Sequence, residues 1–331
     1  MSEGDSQLEE RQGLWQKRME TYAAYGEWCA FALATVQGSI EEINGLKESA
    51  RRVVATREGD YRNWDPDVLG VDEAAEGYIF DCLKRFNEMK GDSFTATIIS
   101  EEAGERSFGT GAEKIYVISD PFDGSLLYKN DLGAFYYTTV AVYDGEGNHV
   151  ATAIGDCVQS RVDVANAETA FSARFDGAKL LNVKPAALSS NADLAKVTLE
   201  SYMMKPKFMF QEADDQYSFV ETFKPLLSKV KFIVPNGGPC GFSDVAFGRI
   251  DVYFAHKQPL IEIFSGVGTA MTAGAVITDF DGNDLEFSDN INDRLFVLAS
   301  GNRALHDEVL SILAEIKAQT GYRWAKPAKG A

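Results

Sequence analysis

The stretch Ile115-Tyr116-Val117-Ile118-Ser119-Asp120-Pro121-Phe122-Asp123-Gly124-Ser125 decides how this chain reads. Its apolar, β-branched start, Ile115 to Ile118, predicts a short buried strand. Pro121 fixes its own φ and lacks an N–H, so the strand cannot continue as a paired ladder. Asp120 therefore falls where strand gives way to turn, and Asp123 can fold back beside it. Two carboxylates held that close repel unless a cation lies between them, and hard oxygen donors suit Mg²⁺ or Mn²⁺. Gly124 lets the backbone approach a ligand closely, and the N–H groups of Gly124 and Ser125 can point at an anion. The chemistry suggested is a metal-assisted phosphate site. A plain strand-to-turn corner uses the same residue types. An aspartyl-phosphate nucleophile, which sits on D-x-D after a strand, fits the D-x-x-D spacing and its proline poorly.

The whole composition bears on that choice. The 331 residues are enough for one large domain or two modest ones, and 45% hydrophobic content is that of an ordinary globular protein. Fifty acidic against 32 basic side chains leave a net charge of −18, with no basic stripe to track a phosphate backbone, which argues against nucleic-acid binding. An acidic protein handling an anionic substrate needs cations at its site. Cys29, Cys82, Cys157 and Cys240 are scattered, without C-x-x-C, and read as buried free thiols of a reducing compartment. His149, His256 and His306 form no zinc-type spacing. Met1-Ser2-Glu3-Gly4-Asp5 is acidic and unlike a signal region, and no apolar run approaches membrane-spanning length, so the expected setting is cytoplasmic, without membrane contact.

Along the chain, apolar residues from about Ser6 to Val54 recur at helical intervals, with Gly38 and Gly45 suggesting a break. Thr56 to Gly70, with Trp64-Asp65-Pro66-Asp67, reads as a loop. A helix is expected from Val71, carrying Ala75, Ile79, Cys82, Leu83 and Phe86 on one face. Phe94 to Ile99 reads as a strand running into Ser100-Glu101-Glu102. Phe135–Tyr143 and Val150–Val158 read as a hairpin about Asp144-Gly145-Glu146-Gly147. Short strands are expected at Ala167–Ala173, Leu180–Val183, Val197–Tyr202 and Lys231–Val234, with a helix over Gln216–Val230. Gly237-Gly238-Pro239-Cys240-Gly241 precedes a further helix; its glycines can serve a ligand or simply a turn. Asp279-Phe280-Asp281-Gly282-Asn283 lacks calcium-loop order and reads as a hairpin. A last strand, Arg294–Ser300, and a last helix, His306–Ile316, lead to a frayed tail around Lys326–Lys329.

Asp120-Pro121-Phe122-Asp123-Gly124-Ser125 resembles the D-P-[IL]-D-G-[TS] motif of the inositol monophosphatase and fructose-1,6-bisphosphatase superfamily, Mg²⁺-dependent, lithium-sensitive phosphomonoesterases. The resemblance extends from about Asp72 to the last helix. Asp72 and Glu76 match the D-x-x-x-E of T-D-x-x-x-E, with Val71 in place of threonine. Glu101 takes the place of the ligand glutamate in G-E-E, with Ser100 in place of glycine. Gly248-Arg249-Ile250-Asp251 matches G-R-[IV]-D. Ile261-Glu262 through Gly266, followed by Ala273-Gly274, resembles W-D-x-A-x-G followed by A-G-G, with Ile261 in place of tryptophan. The fold implied is the layered αβαβα sugar-phosphatase type, an α+β metal-site half over 1–187 and an α/β half over 188–331 that contributes the last ligand.

The resemblance also implies a set of roles. Asp120 bridges two Mg²⁺ ions, Glu101 and the Phe122 carbonyl complete one, and Asp123 and Glu262 complete the other. Asp72 holds a weaker third ion through water, and Mn²⁺ can substitute. Phosphate lies against the N–H groups of Gly124 and Ser125, and Glu101 and Ser125 orient a metal-activated water. Lys257 and Arg249 are candidate substrate contacts, Arg249 equally a plain surface charge. The activity implied is hydrolysis of a small sugar or polyol phosphate, of the inositol-1-phosphate or fructose-1,6-bisphosphate type, by a homodimer. Ser125 together with Glu262 leans towards the fructose-bisphosphatases. A 3′(2′),5′-bisphosphate nucleotidase and a catalytically silent phosphosugar-binding module remain alternatives.

Overall fold

The computed structural model describes residues 3–46, 48–56, 67–210, 218–322 and 324. The chain divides into two compact units, Met1–Pro185 and Ala186–Ala331, and is of mixed α+β class.

The first unit opens with α1 (Glu3–Tyr22) and α2 (Glu27–Gly45). The long helical pattern breaks at Gly26, whose φ of 96° few other residues adopt, rather than at Gly38. Gly38 lies inside α2 because Tyr78 crosses there; an added Cβ would collide with its ring and hydroxyl. The expected loop over 56–70 is shorter than read: 67–69 form β2 (Asp67–Leu69), antiparallel to β1 (Val53–Thr56), and Gly70 already opens the next helix. Residues 57–66, with Trp64-Asp65-Pro66, lie outside the described residues.

Next comes α3 (Gly70–Met89), with Ala75, Ile79, Cys82, Leu83 and Phe86 buried on one face as its spacing predicts. The strands β3 (Phe94–Ser100), β4 (Gly104–Phe108) and β5 (Glu113–Ser119) follow, then a short helix α4 (Ser125–Lys129). The meander β6 (Tyr137–Asp144), β7 (His149–Asp156), β8 (Arg161–Asn166), β9 (Ala170–Asp176) and β10 (Lys179–Pro185) completes the unit. The sheet order is β10-β9-β8-β7-β6-β5-β3-β4. Every neighbouring pair in it is antiparallel except β3 with β5. Small residues let α2 approach this sheet: a Cβ on Gly155 of β7 would strike Val36 and Ile40. Trp28, Phe31, Phe86 and Phe94 pack edge to face and stacked between α2, α3 and β3.

The second unit is an α/β arrangement on a sheet of order β12-β11-β13-β15-β14. Its strands are β11 (Thr198–Glu200), β12 (Phe232–Val234), β13 (Val252–Pro259), β14 (Val276–Asp279) and β15 (Arg294–Ser300). Its helices are α5 (Pro206–Phe210), α6 (Phe219–Leu227), α7 (Pro239–Ala246), α8 (Leu260–Phe264), α9 (Val267–Ala273) and α10 (Arg303–Thr320). Residues 216 and 217 of the expected Gln216–Val230 helix and the 326–329 tail lie outside the described residues. The strand at Arg294–Ser300 appears as read, and the last helix runs longer than His306–Ile316 at both ends. A core of Phe219, Phe223, Phe254, Phe280 and Trp324 joins α6 and α10 to the sheet. Among the described residues no helix is long and apolar enough to cross a membrane. The four cysteines are free and buried, and burial pushes the Cys29 and Cys82 thiols up to about 12, far from a reactive thiolate.

Candidate active site

The geometry begins with the parallel pair. Ser100 of β3 stands opposite Ser119 of β5, so the next residues, Glu101 and Asp120, leave the sheet side by side. A hydrogen bond from Glu101 N to Ser119 O, 3.3 Å, carries the pairing one step past the strand end. Asp120 is fully buried and Glu101 is 5% exposed. Carboxylate oxygens of the two lie within 4.8 Å of one another. If both are ionised, repulsion at that separation costs roughly 3–4 kcal/mol at an effective dielectric near 20, before desolvation is counted. A buried all-oxygen anionic pair is what a hard divalent cation selects, and Mg²⁺ or Mn²⁺ fits this donor set better than a soft metal.

The D-P-F-D-G-S turn is fixed by the neighbouring strand β6. Asp120 N donates to Thr139 Oγ1 at 2.9 Å, and Thr139 N returns a bond to Asp120 O at 2.9 Å. Asp123 and Tyr137 exchange backbone bonds of 2.9 and 3.0 Å, which carries the chain back alongside β6. Phe122 N reaches Asp120 Oδ1 at 3.2 Å, and the Phe122 ring is buried against Tyr128 and Tyr136. Gly124 takes φ 103°, and a Cβ there would strike the Phe135 carbonyl. Asp123, Gly124 and Ser125 are half-buried, so this part of the turn retains solvent access.

Helix α3 braces both strand-end turns. Asp72, in its first turn, accepts Leu69 N at 2.7 Å through Oδ2 and Ser125 Oγ at 2.9 Å through Oδ1. Ser125 Oγ also lies 3.1 Å from the Phe122 carbonyl. Its single proton serves one acceptor at a time, and the nearer, charged carboxylate is the stronger. One helical turn later, Glu76 Oε1 accepts Ser100 Oγ at 2.5 Å and Ala103 N at 2.7 Å. The first unit thus brings Asp72, Glu101, Asp120, Phe122, Asp123, Gly124 and Ser125 to one end of its sheet.

Sequence reasoning missed Thr139, which cradles both the N–H and the carbonyl of Asp120. Only the β5–β6 register could have revealed it. The Glu76–Ser100 bond is equally hidden, because it depends on how α3 lies against the end of β3.

In the second unit, Glu262 is half-buried in the first turn of α8. Just upstream, the β13–β15 register shifts between Ala255 and Gln258, and Lys257 within that irregularity takes φ 52°. A non-glycine residue in the left-handed region at a bulge is a strained way to aim a side chain. In the Gly237–Gly241 turn, Gly238 N donates to the Tyr253 hydroxyl at 2.8 Å, so that N–H serves the turn. Burial, with Glu262, Glu200 and Cys240 nearby, pushes the Tyr253 phenol well above its ordinary range. Arg249 is engaged structurally, pairing with Asp244 at 2.8 Å and lying over the Phe247 ring.

No protein-family model matches the chain. Two curated relatives do, both named fructose-1,6-bisphosphatase/inositol-1-monophosphatase. The Thermotoga maritima protein is 24% identical over 260 residues, 77% of this chain and 85% of the relative. The Methanothermobacter thermautotrophicus protein is 24% identical over 225 residues, 66% of this chain and 76% of the relative. Among solved structures, an inositol monophosphatase from Anabaena superposes with TM-score 0.66 at 17% identity, covering 87% of this chain and 95% of that one. The chain is thus similar in sequence and in fold to members of the inositol monophosphatase and fructose-1,6-bisphosphatase superfamily. Within that superfamily's fold, the D-P-F-D-G-S turn occupies the end of the parallel strand pair described above.

Proposed function

We propose that the chain is a divalent-cation-dependent phosphomonoesterase acting on a small phosphorylated sugar or polyol. The observation that carries this reading is the buried Glu101–Asp120 pair, set at the ends of parallel strands beside the D-P-F-D-G-S turn. Glu101, Asp120, Asp123 and the Phe122 carbonyl are the proposed metal donors of the first unit. Glu262 is the proposed donor of the second, on the strength of its place in the superfamily pattern. Bound Mg²⁺ would supply a nucleophile at neutral pH and neutralise charge on the transferring phosphoryl group.

The protein's own groups have distinct parts to play. Asp72 holds the Ser125 proton, which turns the Ser125 lone pairs outward as acceptors for an attacking water. The superfamily pattern also allows Asp72 a water-mediated share in a third ion. Gly124, with no side chain, leaves the turn backbone open to phosphate oxygens, where its N–H and that of Ser125 donate. Lys257 is the proposed contact for a further anionic or hydroxyl group of the substrate. Lithium sensitivity and a homodimeric assembly are part of the same proposal.

The test is phosphate release from inositol 1-phosphate, fructose 1,6-bisphosphate and 3′-phosphoadenosine 5′-phosphate, with Mg²⁺, without it, and with lithium added. Mg²⁺-dependent turnover of one of the first two supports the reading. Preference for the nucleotide replaces the substrate class. Mg²⁺ binding without turnover of any of them favours a silent binding module.

A further inference from the structure

We propose that Glu76 is a positioning residue for Glu101, acting through the Ser100 hydroxyl and the Ala103 N–H. This rests on the metal-site reading above and extends it to a residue to which that reading gives no role. Ser100 ends β3 and pairs with Gly104, which opens β4, so Glu101, Glu102 and Ala103 form the connection between them. Glu76 Oε1 takes hydrogen bonds from both sides of Glu101, 2.5 Å from Ser100 Oγ and 2.7 Å from Ala103 N. One carboxylate oxygen thereby ties the residue before Glu101 and the residue two after it to α3.

The choice of residues supports positioning over packing. Ser100 is fully buried, stands where the resembled G-E-E motif has glycine, and donates its hydroxyl to Glu76. Glu76 and Asp72 lie one turn apart on α3 and brace the β3 and β5 ends respectively. The helix therefore fixes the spacing of the two strand-end turns that bear Glu101 and Asp120. Loss of a direct outer hydrogen-bond partner of a metal ligand weakens metal affinity by about 10–100-fold, and Glu76, which holds the neighbours of Glu101 rather than its carboxylate, should act at the lower end of that range.

The experiment uses the full chain and Mn²⁺ alone as probe, with bound ion read by electron paramagnetic resonance. Wild type is compared with Glu76→Ala, Glu76→Gln and Ser100→Gly, each checked for fold by circular dichroism. Glu76→Ala should weaken Mn²⁺ binding about tenfold, the lower end for losing an outer partner of a ligand. Glu76→Gln keeps an acceptor oxygen and should restore affinity to within a few-fold of wild type. Ser100→Gly, which removes one of the two bonds and leaves the helix intact, should fall between. In turnover assays the metal concentration for half-activity should rise in the same order while the substrate KM changes little. Unchanged Mn²⁺ affinity in both Glu76→Ala and Ser100→Gly overturns the inference and leaves the metal site standing. Equal loss in Glu76→Gln and Glu76→Ala also overturns it, by assigning the effect to charge. Absence of Mn²⁺ binding in wild type overturns the metal-site reading itself.

Discussion

Ser125 Oγ and Asp72 Oδ1 stand 2.9 Å apart, joining the D-P-F-D-G-S turn to the first turn of α3. Because Asp72 is also held by Leu69 N, its carboxylate cannot swing away from the serine without giving up the bond that starts the helix. The expected consequence is a strong dependence of turnover on the hydroxyl. Ser125→Ala should lower kcat by about 10²–10⁴, the usual worth of a positioned proton-handling group, with little change in thermal stability. Ser125→Thr keeps the hydroxyl and should stay within about tenfold of wild type. Steady-state phosphate release on both variants checks this, and equal loss in the two would remove the hydroxyl from the mechanism.

Asp120→Asn separates the electrostatic roles of the buried pair. The amide has the same shape but removes one of two carboxylates whose oxygens lie within 4.8 Å. Without divalent cation, the variant should melt at or above the wild-type temperature, because repulsion with Glu101 is relieved. With Mg²⁺ present, wild type should gain stability by mass action and the variant should gain little. Turnover should fall by more than about a hundredfold, beyond the cost of losing an outer partner of a metal ligand. Melting curves with and without Mg²⁺, alongside activity, test the two halves of the prediction separately.

How much of this was legible in the sequence depends on how local each determinant is. The Asp120–Ser125 turn could be read because proline, glycine and paired aspartates leave few local conformations. The strand at Arg294–Ser300 could be read from its apolar run and its polar flanks. The helix break at Gly26 was misplaced to Gly38, since a glycine that admits a crossing Tyr78 ring looks the same in sequence as one that ends a helix. Strands β4 and β8 present no continuous apolar run in sequence. The first is a polar edge strand, Gly104–Phe108, and the second places Arg161 and Asp163 among its apolar residues. The Thr139 and Ser100 contacts depend on strand register and helix placement, which spacing along one chain does not carry.

Gly124 provides a backbone test of the same turn. Its φ of 103° lies outside what side-chain-bearing residues adopt comfortably, and an added Cβ meets the Phe135 carbonyl, which is backbone and cannot rotate away. Gly124→Ala should therefore cost about 1–3 kcal/mol of stability and displace Asp123 and Ser125 together. The measurement is denaturant unfolding paired with activity. A variant of wild-type stability and activity would show that the turn can relax, and that its left-handed geometry is not required for the site.

His306 yields a prediction about pH that is independent of the metal site. It is fully buried at the start of α10, with Nδ1 2.7 Å from Ser300 Oγ and Nε2 2.9 Å from Thr278 Oγ1. Burial, and secondarily the Arg303 charge, lowers its pKa from 6.5 to about 4, so it stays neutral in the folded protein at ordinary pH. The unfolded chain takes up a proton near pH 6.5, where the folded chain does not. Between about 6.5 and about 4 the unfolded state therefore binds more protons, and stability falls as pH falls through that window. Above it the contribution is complete, and below it both states are protonated and no further loss comes from this group. Within the window the slope owed to His306 approaches about 1.4 kcal/mol per pH unit, one proton's worth. His306→Gln can still bridge Ser300 and Thr278 but does not titrate, so its stability should fall less steeply on acidification. Denaturant midpoints of both proteins at pH 7, 6, 5 and 4.5 give the comparison. Parallel slopes would mean that the folded protein carries His306 protonated or open to solvent.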